Sequence, residues 1–156
     1  MPQEGFLLNS AHRFDICIDK ANKDNETNWV RVGAGVSSLD TDNNEEVDQT
    51  VYFDGGGYGS SDVTGAQLVL SFSGHRKYGD PAQDFVAGLL FKQGEDRKTY
   101  FRWTFPDGDQ IEGEVTVANI TPPSGDANAK QDFKFEIHFN GLPTYTEATG
   151  TTGTEG

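Results

Sequence analysis

Residues 133–139 read FKFEIHF, and this stretch decides the fold class because apolar and polar side chains alternate along it without a break. In an extended chain successive side chains point to opposite faces, so such a segment forms a strand with one buried and one solvated face. Residues 14–18 and 111–120 show the same period of two, although less regularly. The sequence therefore predicts a mainly β protein with many short strands joined by turns.

The overall composition fits a single domain of this class. The chain has 156 residues, which suits one hydrophobic core, and its 19 Gly and 6 Pro are scattered as turn residues are. Eleven Phe, five Tyr and two Trp supply bulky core side chains, and Trp29 begins one of the predicted strands. We expect one domain over residues 1–147. From residue 148 to 156 Thr, Gly and Glu repeat, and this composition predicts a flexible tail.

Residues 80 to about 92 carry the signals of one α-helix that flanks the sheet. Asp80 is a good N-cap, Pro81 suits the first helical turn, and Gln83 completes the spacing of a capping box. One face of this helix is apolar and should pack on the sheet; its members are Ala82, Phe85, Val86, Leu89 and Leu90.

The net charge of −13, from 25 acidic and 12 basic residues, argues against a protein that holds nucleic acid, because holding it requires neutralised phosphates. It does not exclude a protein past which DNA slides. Residues 37–49 (SSLDTDNNEEVDQ) are polar and acidic, and we expect a long projecting loop that reaches a neighbouring subunit. The candidates for that contact are Asp40, Asp42, Asn44, Glu45 and Glu46.

The same acidic segment has oxygen-bearing side chains at alternate positions, as the start of a calcium loop does. The match then fails, because Glu45 occupies the position that an EF-hand gives to Gly. Val51 occupies the position of the bidentate acid. An ordinary solvated acidic loop is the better interpretation, and we expect no metal site there.

No pattern in the chain predicts catalysis or a cofactor. His12, His75 and His138 are far apart and none begins a metal-ligand spacing, while Cys17 is alone and lies within an apolar alternation. The glycines at residues 54–57 lack the Lys-Ser/Thr of a phosphate loop. We therefore expect no enzyme and no cofactor. No apolar run is long enough for a membrane anchor, and nothing directs the chain out of a cytoplasm.

The segment TGAQLVLSFSGHRKYGDPAQDF at residues 64–85 resembles the major tail-tube proteins of long-tailed, siphovirus-like bacteriophages. The shared order is a strand ending in Ser-Gly, a basic pair, and Gly-Asp-Pro opening a helix. Trp29 with Gly33 and Gly35, the Gly-rich residues 54–59 and FNGLP at 139–143 also look like that family, so the resemblance covers most of residues 14–147.

This resemblance implies a structural virion protein. Such proteins are a β-sandwich or barrel flanked by one helix, form stacked hexameric rings, and share a fold with the tube proteins of type VI secretion systems. The implied partners are further copies of the chain, tape-measure, tail-terminator and baseplate proteins, and DNA that passes through without tight binding. The implied place is the virion tail, assembled in the host cytoplasm. The family has no catalytic motif to carry over.

Three carboxylates are candidates for the lumen of such a tube. Glu112, Glu114 and Glu136 alternate with apolar residues on predicted strands, so they lie on the face opposite the core. The resemblance, in which a sheet from each subunit forms the inner wall, favours the lumen over the outer surface. An acidic wall repels DNA and so lets it pass.

A small acidic β-sandwich that binds carbohydrate, or that adheres in a calcium-dependent way, is the main alternative. Its aromatic platform would be Trp29, Tyr58 and Trp103. A hydrolase is a third class, supported only by scattered acids such as Glu112 and Glu114, which a solvated strand face explains equally.

Overall fold

Residues 5–148 are the part of the chain that the computed structural model describes, and strands dominate them. The predicted tail at residues 148–156 lies, apart from Ala148, outside these described residues. The strands are β1 (Arg13–Cys17), β2 (Trp29–Val32), β3 (Val36–Asp42), β4 (Glu46–Val51), β5 (Gly59–Gly65), β6 (Val69–His75), β7 (Lys98–Thr104), β8 (Gln110–Ser124), β9 (Asp132–Phe139) and β10 (Thr144–Thr146). One α-helix, α1 (Pro81–Gly88), follows β6.

Eight strands form one antiparallel sheet in the order β2-β1-β7-β8-β9-β6-β3, and β10 pairs with the first residues of β8. The two end strands, β2 and β3, are joined by residues 33–35 alone, so the sheet curls on itself. As a result Phe14 of β1 meets Phe72 of β6, with ring centroids 5.0 Å apart. The expectation of a mainly β sandwich with one flanking helix is confirmed.

The core lies inside this curl and is built from alternate positions of the strands. Phe133, Phe135, Ile137 and Phe139 are all buried, as the alternation of residues 133–139 predicts. Phe135 stacks on Phe72 at 5.2 Å between centroids, and Phe101 contacts Phe139 edge-on at 6.2 Å. The opposite face of the sheet carries the polar residues and is called the polar sheet face below.

Gly74 makes the tight closure of the curl possible. A Cβ at this position would meet the carbonyl oxygen of Gly35 and lie 2.8 Å from the Cα of Val36. Real Cβ atoms do not approach backbone so closely, so no larger residue fits at position 74 without moving β3. Gly35 has a φ of +77°, which is the left-handed region that favours glycine.

The helix begins as predicted and ends earlier. The side chain of Asp80 accepts a hydrogen bond from the backbone N–H of Gln83 at 3.1 Å, and Pro81 occupies the first turn. Val86 is fully buried, Leu89 is 5% exposed, and Phe85 packs partly buried against the same core. The expected apolar face is therefore correct.

The expected end near residue 92 is wrong, because α1 stops at Gly88. Glycine has low helix propensity, and after it the N–H of Leu90 bonds to the carbonyl of Ala87 rather than one residue further back. The guanidinium of Arg97 then donates to the carbonyls of Leu90 at 3.0 Å and Lys92 at 2.8 Å. These bonds satisfy the carbonyls of Leu90 and Lys92, which lie just beyond the end of α1.

Gln83 does not complete a capping box. Its buried amide nitrogen donates to the carbonyls of Ala34 at 2.8 Å and His75 at 2.9 Å, and its oxygen accepts from the N–H of Lys77 at 2.6 Å. One side chain therefore ties α1 to the link between β2 and β3 and to the end of β6.

The acidic segment at residues 37–49 is not a loop, so that expectation is wrong in its secondary structure. Its first half belongs to β3, which pairs with β6 up to the pair of Asp42 and Val69. Its second half belongs to β4, which pairs with β5. Polar residues are tolerated on both faces because β3 is an edge strand and β4 leaves the main sheet. Only residues 43–45 form a turn, in which Asn44 has a φ of 47°.

Candidate functional site

A two-stranded ribbon projects from the main sheet. It consists of residues 46–65, comprising β4, β5 and the tip between them, and is called the arm below. All of its residues except Thr50 and Gly65 are exposed. At its base the N–H of Gln67 donates to the carbonyl of Asn43 at 2.9 Å, so the two chain segments that enter and leave the arm are adjacent.

The arm has one apolar and one acidic face. Val47 lies opposite Val63 in the ribbon, and Val51 shares their face because side chains alternate along a strand. Their side chains are 51%, 61% and 61% exposed respectively. The tip adds three exposed aromatic residues, which are Tyr52, Phe53 and Tyr58.

The acidic face carries Asp48 directly opposite Asp62. Like charges in directly opposed positions destabilise a strand pair. None of the ion pairs within residues 5–148 includes a carboxylate of the arm. Residues 32–75 contain seven Asp or Glu and no Lys or Arg, so this quarter of the chain supplies −7 of the net charge of −13.

The five predicted contact residues lie at the base of the arm. Asp40 and Asp42 are exposed on the edge strand β3, and Glu46 is the first residue of β4. In the turn between them the N–H of Asn44 donates to Asp42 at 2.8 Å, and Glu45 accepts from the side chain of Asn43 at 3.0 Å. Their contact with another subunit stays a prediction.

Glu112, Glu114 and Glu136 all lie on the polar sheet face, but their surroundings differ. Glu112 bonds the guanidinium of Arg102 at 3.0 Å. Glu136 accepts from Asn119 at 2.8 Å and contacts His138 at 2.8 Å, and these hydrogen bonds lower the pKa of the Glu136 carboxyl. Glu114 is exposed opposite Tyr100. Of these three carboxylates, Glu114 is the one that takes part in none of the ion pairs found within residues 5–148.

A ladder of alternating charges crosses four strands of the polar sheet face. Arg31 of β2, Asp15 of β1, Arg102 of β7 and Glu112 of β8 lie side by side in register. Arg102 also bonds Glu26 at 3.1 Å. The sequence interpretation missed this ladder, although Arg102 and Glu112 are each five residues from Asp107 in the Pro-Asp-Gly-Asp segment at residues 106–109, which has the residues of a turn. A hairpin centred on that turn places them opposite each other.

The three aromatic residues of the alternative carbohydrate platform are not brought together. Trp29 is buried on the polar side of the sheet, where its N–H donates to the carbonyl of Lys23 at 2.7 Å and Arg102 lies 4.2 Å over its ring. Trp103 packs on the core side against Phe105, and Tyr58 is at the tip of the arm. The platform prediction is wrong because these residues occupy opposite faces and a separate ribbon.

Cys17 and His12 have chemically reactive side chains, but both make structural contacts. Cys17 is fully buried, and burial raises the pKa of its thiol. His12 accepts the indole N–H of Trp103 at 2.9 Å beside an open apolar groove of about 270 Å³ between β2 and β3. Within residues 5–148 no group of three or more His, Cys, Asp or Glu side chains is arranged to hold a metal ion. No helix in that range is long and apolar enough to cross a membrane.

Solved structures of phage-like tails share this fold. A chain in the tail of an empty gene transfer agent particle, determined with C6 symmetry, has a TM-score of 0.71 and 14% identity, covering 91% of this chain and 100% of that one. A chain of the anti-feeding prophage cap, a tube-terminating cap, has a TM-score of 0.60 and 14% identity over 95% of both chains. The protein has the fold of these tail components.

A third structure, the sheath/tube terminator of the extracellular contractile injection system PVC in the extended state, has a TM-score of 0.59 and 12% identity. It covers 92% of this chain and 99% of that one. No protein-family model matches the sequence, and no curated protein sequence does either. The tail-tube fold expected from the resemblance is therefore confirmed through three-dimensional likeness.

Proposed function

We propose that this chain is a non-enzymatic structural subunit of a tail tube, whose copies stack as hexameric rings into a conduit for DNA in a phage-like particle. The observation that carries the proposal is the arm. An isolated two-stranded ribbon is at best marginally stable in water, so a ribbon with this much exposed apolar surface needs a partner to cover it. Contiguous exposed apolar patches are typical of protein–protein contacts.

In a tube built from one repeating protein, the partner that covers the arm is another copy of the chain. The arm extends beyond the body of its own subunit, which lets it reach a neighbour in an adjacent ring. The C6 symmetry of the gene transfer agent tail, which shares the fold, supports six subunits per ring. On this proposal Asp40, Asp42, Asn44, Glu45 and Glu46, at the base of the arm, are inter-subunit contacts.

The polar sheet face is the proposed inner wall. Glu112, Glu114 and Glu136 share this face, and the chain has a large negative charge that disfavours phosphate contacts. Because Glu112 is paired with Arg102, the repulsion of DNA comes mainly from Glu114, with Glu136 contributing as a stable carboxylate. The tape-measure and baseplate proteins are the expected further partners, and the assembled virion tail is the expected location.

A tube terminator is the second candidate function. Two structures that share the fold, the anti-feeding prophage cap and the PVC sheath/tube terminator, end a tube. A terminator forms a single ring that stops growth, whereas a tube subunit polymerises with itself. The two candidates are therefore separated by whether the purified chain forms stacked or single rings.

The test uses the full 156-residue chain and a variant in which residues 46–65 are replaced by Gly-Gly. The adjacent strands at the base of the arm allow this closure without strain in the main sheet. We expect the full chain to form stacked rings in negative-stain electron microscopy. We expect the variant to keep its circular dichroism spectrum and remain monomeric.

Tubes formed by the variant without the arm contradict the role of the arm. A full chain that stays monomeric at every concentration and binds a glycan contradicts the tube proposal and supports the binding-module alternative. Glycan binding is measured on an array with the same two proteins. The variant serves as its control, because its main sheet is intact.

A further inference from the structure

The end of the sheet opposite the arm carries exposed lysines. Beyond β6 the N–H of Arg76 donates to the carbonyl of Gln131 at 2.8 Å, and the hydroxyl of Tyr78 donates to the side chain of Gln131 at 2.8 Å. These bonds bring the segment that carries Lys77 alongside the segment that carries Lys130. Both lysines are exposed and are called the lysine pair below.

Three of the carboxylates near the lysine pair are engaged elsewhere. Asp84 bonds Arg76 at 2.9 Å, Asp80 caps α1, and Asp132 lies 3.9 Å from His75. Among residues 5–148 no ion pair includes Lys77 or Lys130. Two positive side chains therefore lie on adjacent segments at this end, just as Asp48 and Asp62 lie on adjacent strands of the arm.

Strand β6 separates these two like-charged pairs. The arm enters β6 at Val69, and the lysine pair follows its last residue, His75. At about 3.3 Å per residue such a strand spans roughly 20 Å. The chain therefore carries an acidic pair on the arm and the lysine pair beyond the opposite end of the same strand.

We propose that Asp48 and Asp62 of one copy dock on Lys77 and Lys130 of the next copy, and that this contact fixes the head-to-tail polarity of stacking. The proposal rests on the proposed function and names the surface that receives the arm. The partner is a second copy, because the charges of the two exposed pairs are complementary. A contact between two different ends of a molecule is heterologous and repeats without closing, as a filament requires.

The physical reason is that each pair is unfavourable in an isolated subunit. Two carboxylates opposite each other on a ribbon repel, and so do two adjacent ammonium groups. Docking replaces both repulsions by attraction. Because both pairs are exposed, the attraction acts mainly on specificity and association rate and is weakened by salt. Burial of the apolar face of the arm supplies the remaining stability of the contact.

The test is a charge exchange in the full chain. The first variant carries Asp48→Lys with Asp62→Lys, the second carries Lys77→Glu with Lys130→Glu, and the third carries all four changes. The matched control, Asp24→Lys with Asp96→Lys, alters net charge as the first variant does but at exposed sites away from both pairs. Circular dichroism and thermal unfolding check that every variant is folded.

Sedimentation velocity and electron microscopy at low salt measure assembly. We expect the first and second variants each to need about tenfold higher concentration to assemble, and the third to return to wild-type behaviour. A mixture of the first and second variants should also assemble, because each arm then finds a complementary end on the other protein. The control should assemble as the wild type does.

The charge pairing is overturned if the first variant assembles as the wild type does. It is also overturned if both the fourfold variant and the mixture fail to assemble. Either outcome leaves the tube proposal intact. A wild-type chain that remains monomeric at millimolar concentration and low salt overturns both. If deletion of the arm abolishes assembly but the charge exchange has no effect, the contact is made by the apolar face of the arm alone.

Discussion

Single residues decide how the parts of this subunit are joined. Gln83 bonds two carbonyls and one N–H from two separate segments, the link between β2 and β3 and the end of β6, and its side chain is buried. The capping-box spacing of Gln83 was predictable from the sequence, but its actual bonds were not, since one partner, Ala34, is 49 positions away in the chain. Local spacing does not contain that information.

Gln83→Ala should lower the free energy of unfolding by about 2–4 kcal/mol, because it leaves buried backbone groups without partners. Urea unfolding followed by circular dichroism measures the change. Gln93→Ala is the matched control, since Gln93 is exposed and caps nothing with its side chain. Equal stability of the two variants would show that water replaces the bonds of Gln83.

At the scale of secondary-structure elements, the sequence predicts those strands and helices that bury one apolar face in the core. The strand at residues 133–139 and the start of α1 were predictable, because one face of each must be buried and Asp80 is a strong cap. The end of α1 was not, because the residues after Gly88 are held outside the helix by Arg97, which bonds the carbonyls of Leu90 and Lys92. The arm was missed because neither of its faces is buried in the subunit, so no apolar alternation marks residues 46–49 as a strand.

Leu89→Ala should cost about 2–5 kcal/mol of stability, because the residue after α1 is almost fully buried and truncation leaves a cavity. The same loss is not expected for Phe91→Ala, since Phe91 is 93% exposed only two residues further on. Thermal and urea unfolding of both variants make the comparison. A cost below about half a kcal/mol for Leu89→Ala would mean that this side chain is not part of the core in solution.

For the whole molecule, the net charge is predictable but its distribution is not. The sequence placed Glu112, Glu114 and Glu136 on one face correctly, yet two of them bond a side chain of the neighbouring strand, Glu112 with Arg102 and Glu136 with Asn119. Such neighbours depend on strand register. The acidity is instead concentrated in residues 32–75, around the arm.

Glu114→Lys should slow genome release at low salt in particles built from the variant, because it adds a cation that holds phosphates in the proposed lumen. This single change is cleaner than reversing all three candidates, which would also place lysines beside Arg102 and His138. Release rate against ionic strength is the measurement. Asp126→Lys, at an exposed turn, is the control. Unchanged release with tubes of normal length would place Glu114 away from the DNA path.

The missing side chain of Gly74 has a consequence beyond the subunit. It lets the start of β3 lie close against β6, and any larger residue would push Gly35 and Val36 away from that strand. The curl therefore determines how wide one subunit is, and a ring of fixed copy number takes its circumference from that width. In such a ring the bore of the channel depends on a hydrogen atom occupying the place of a methyl group.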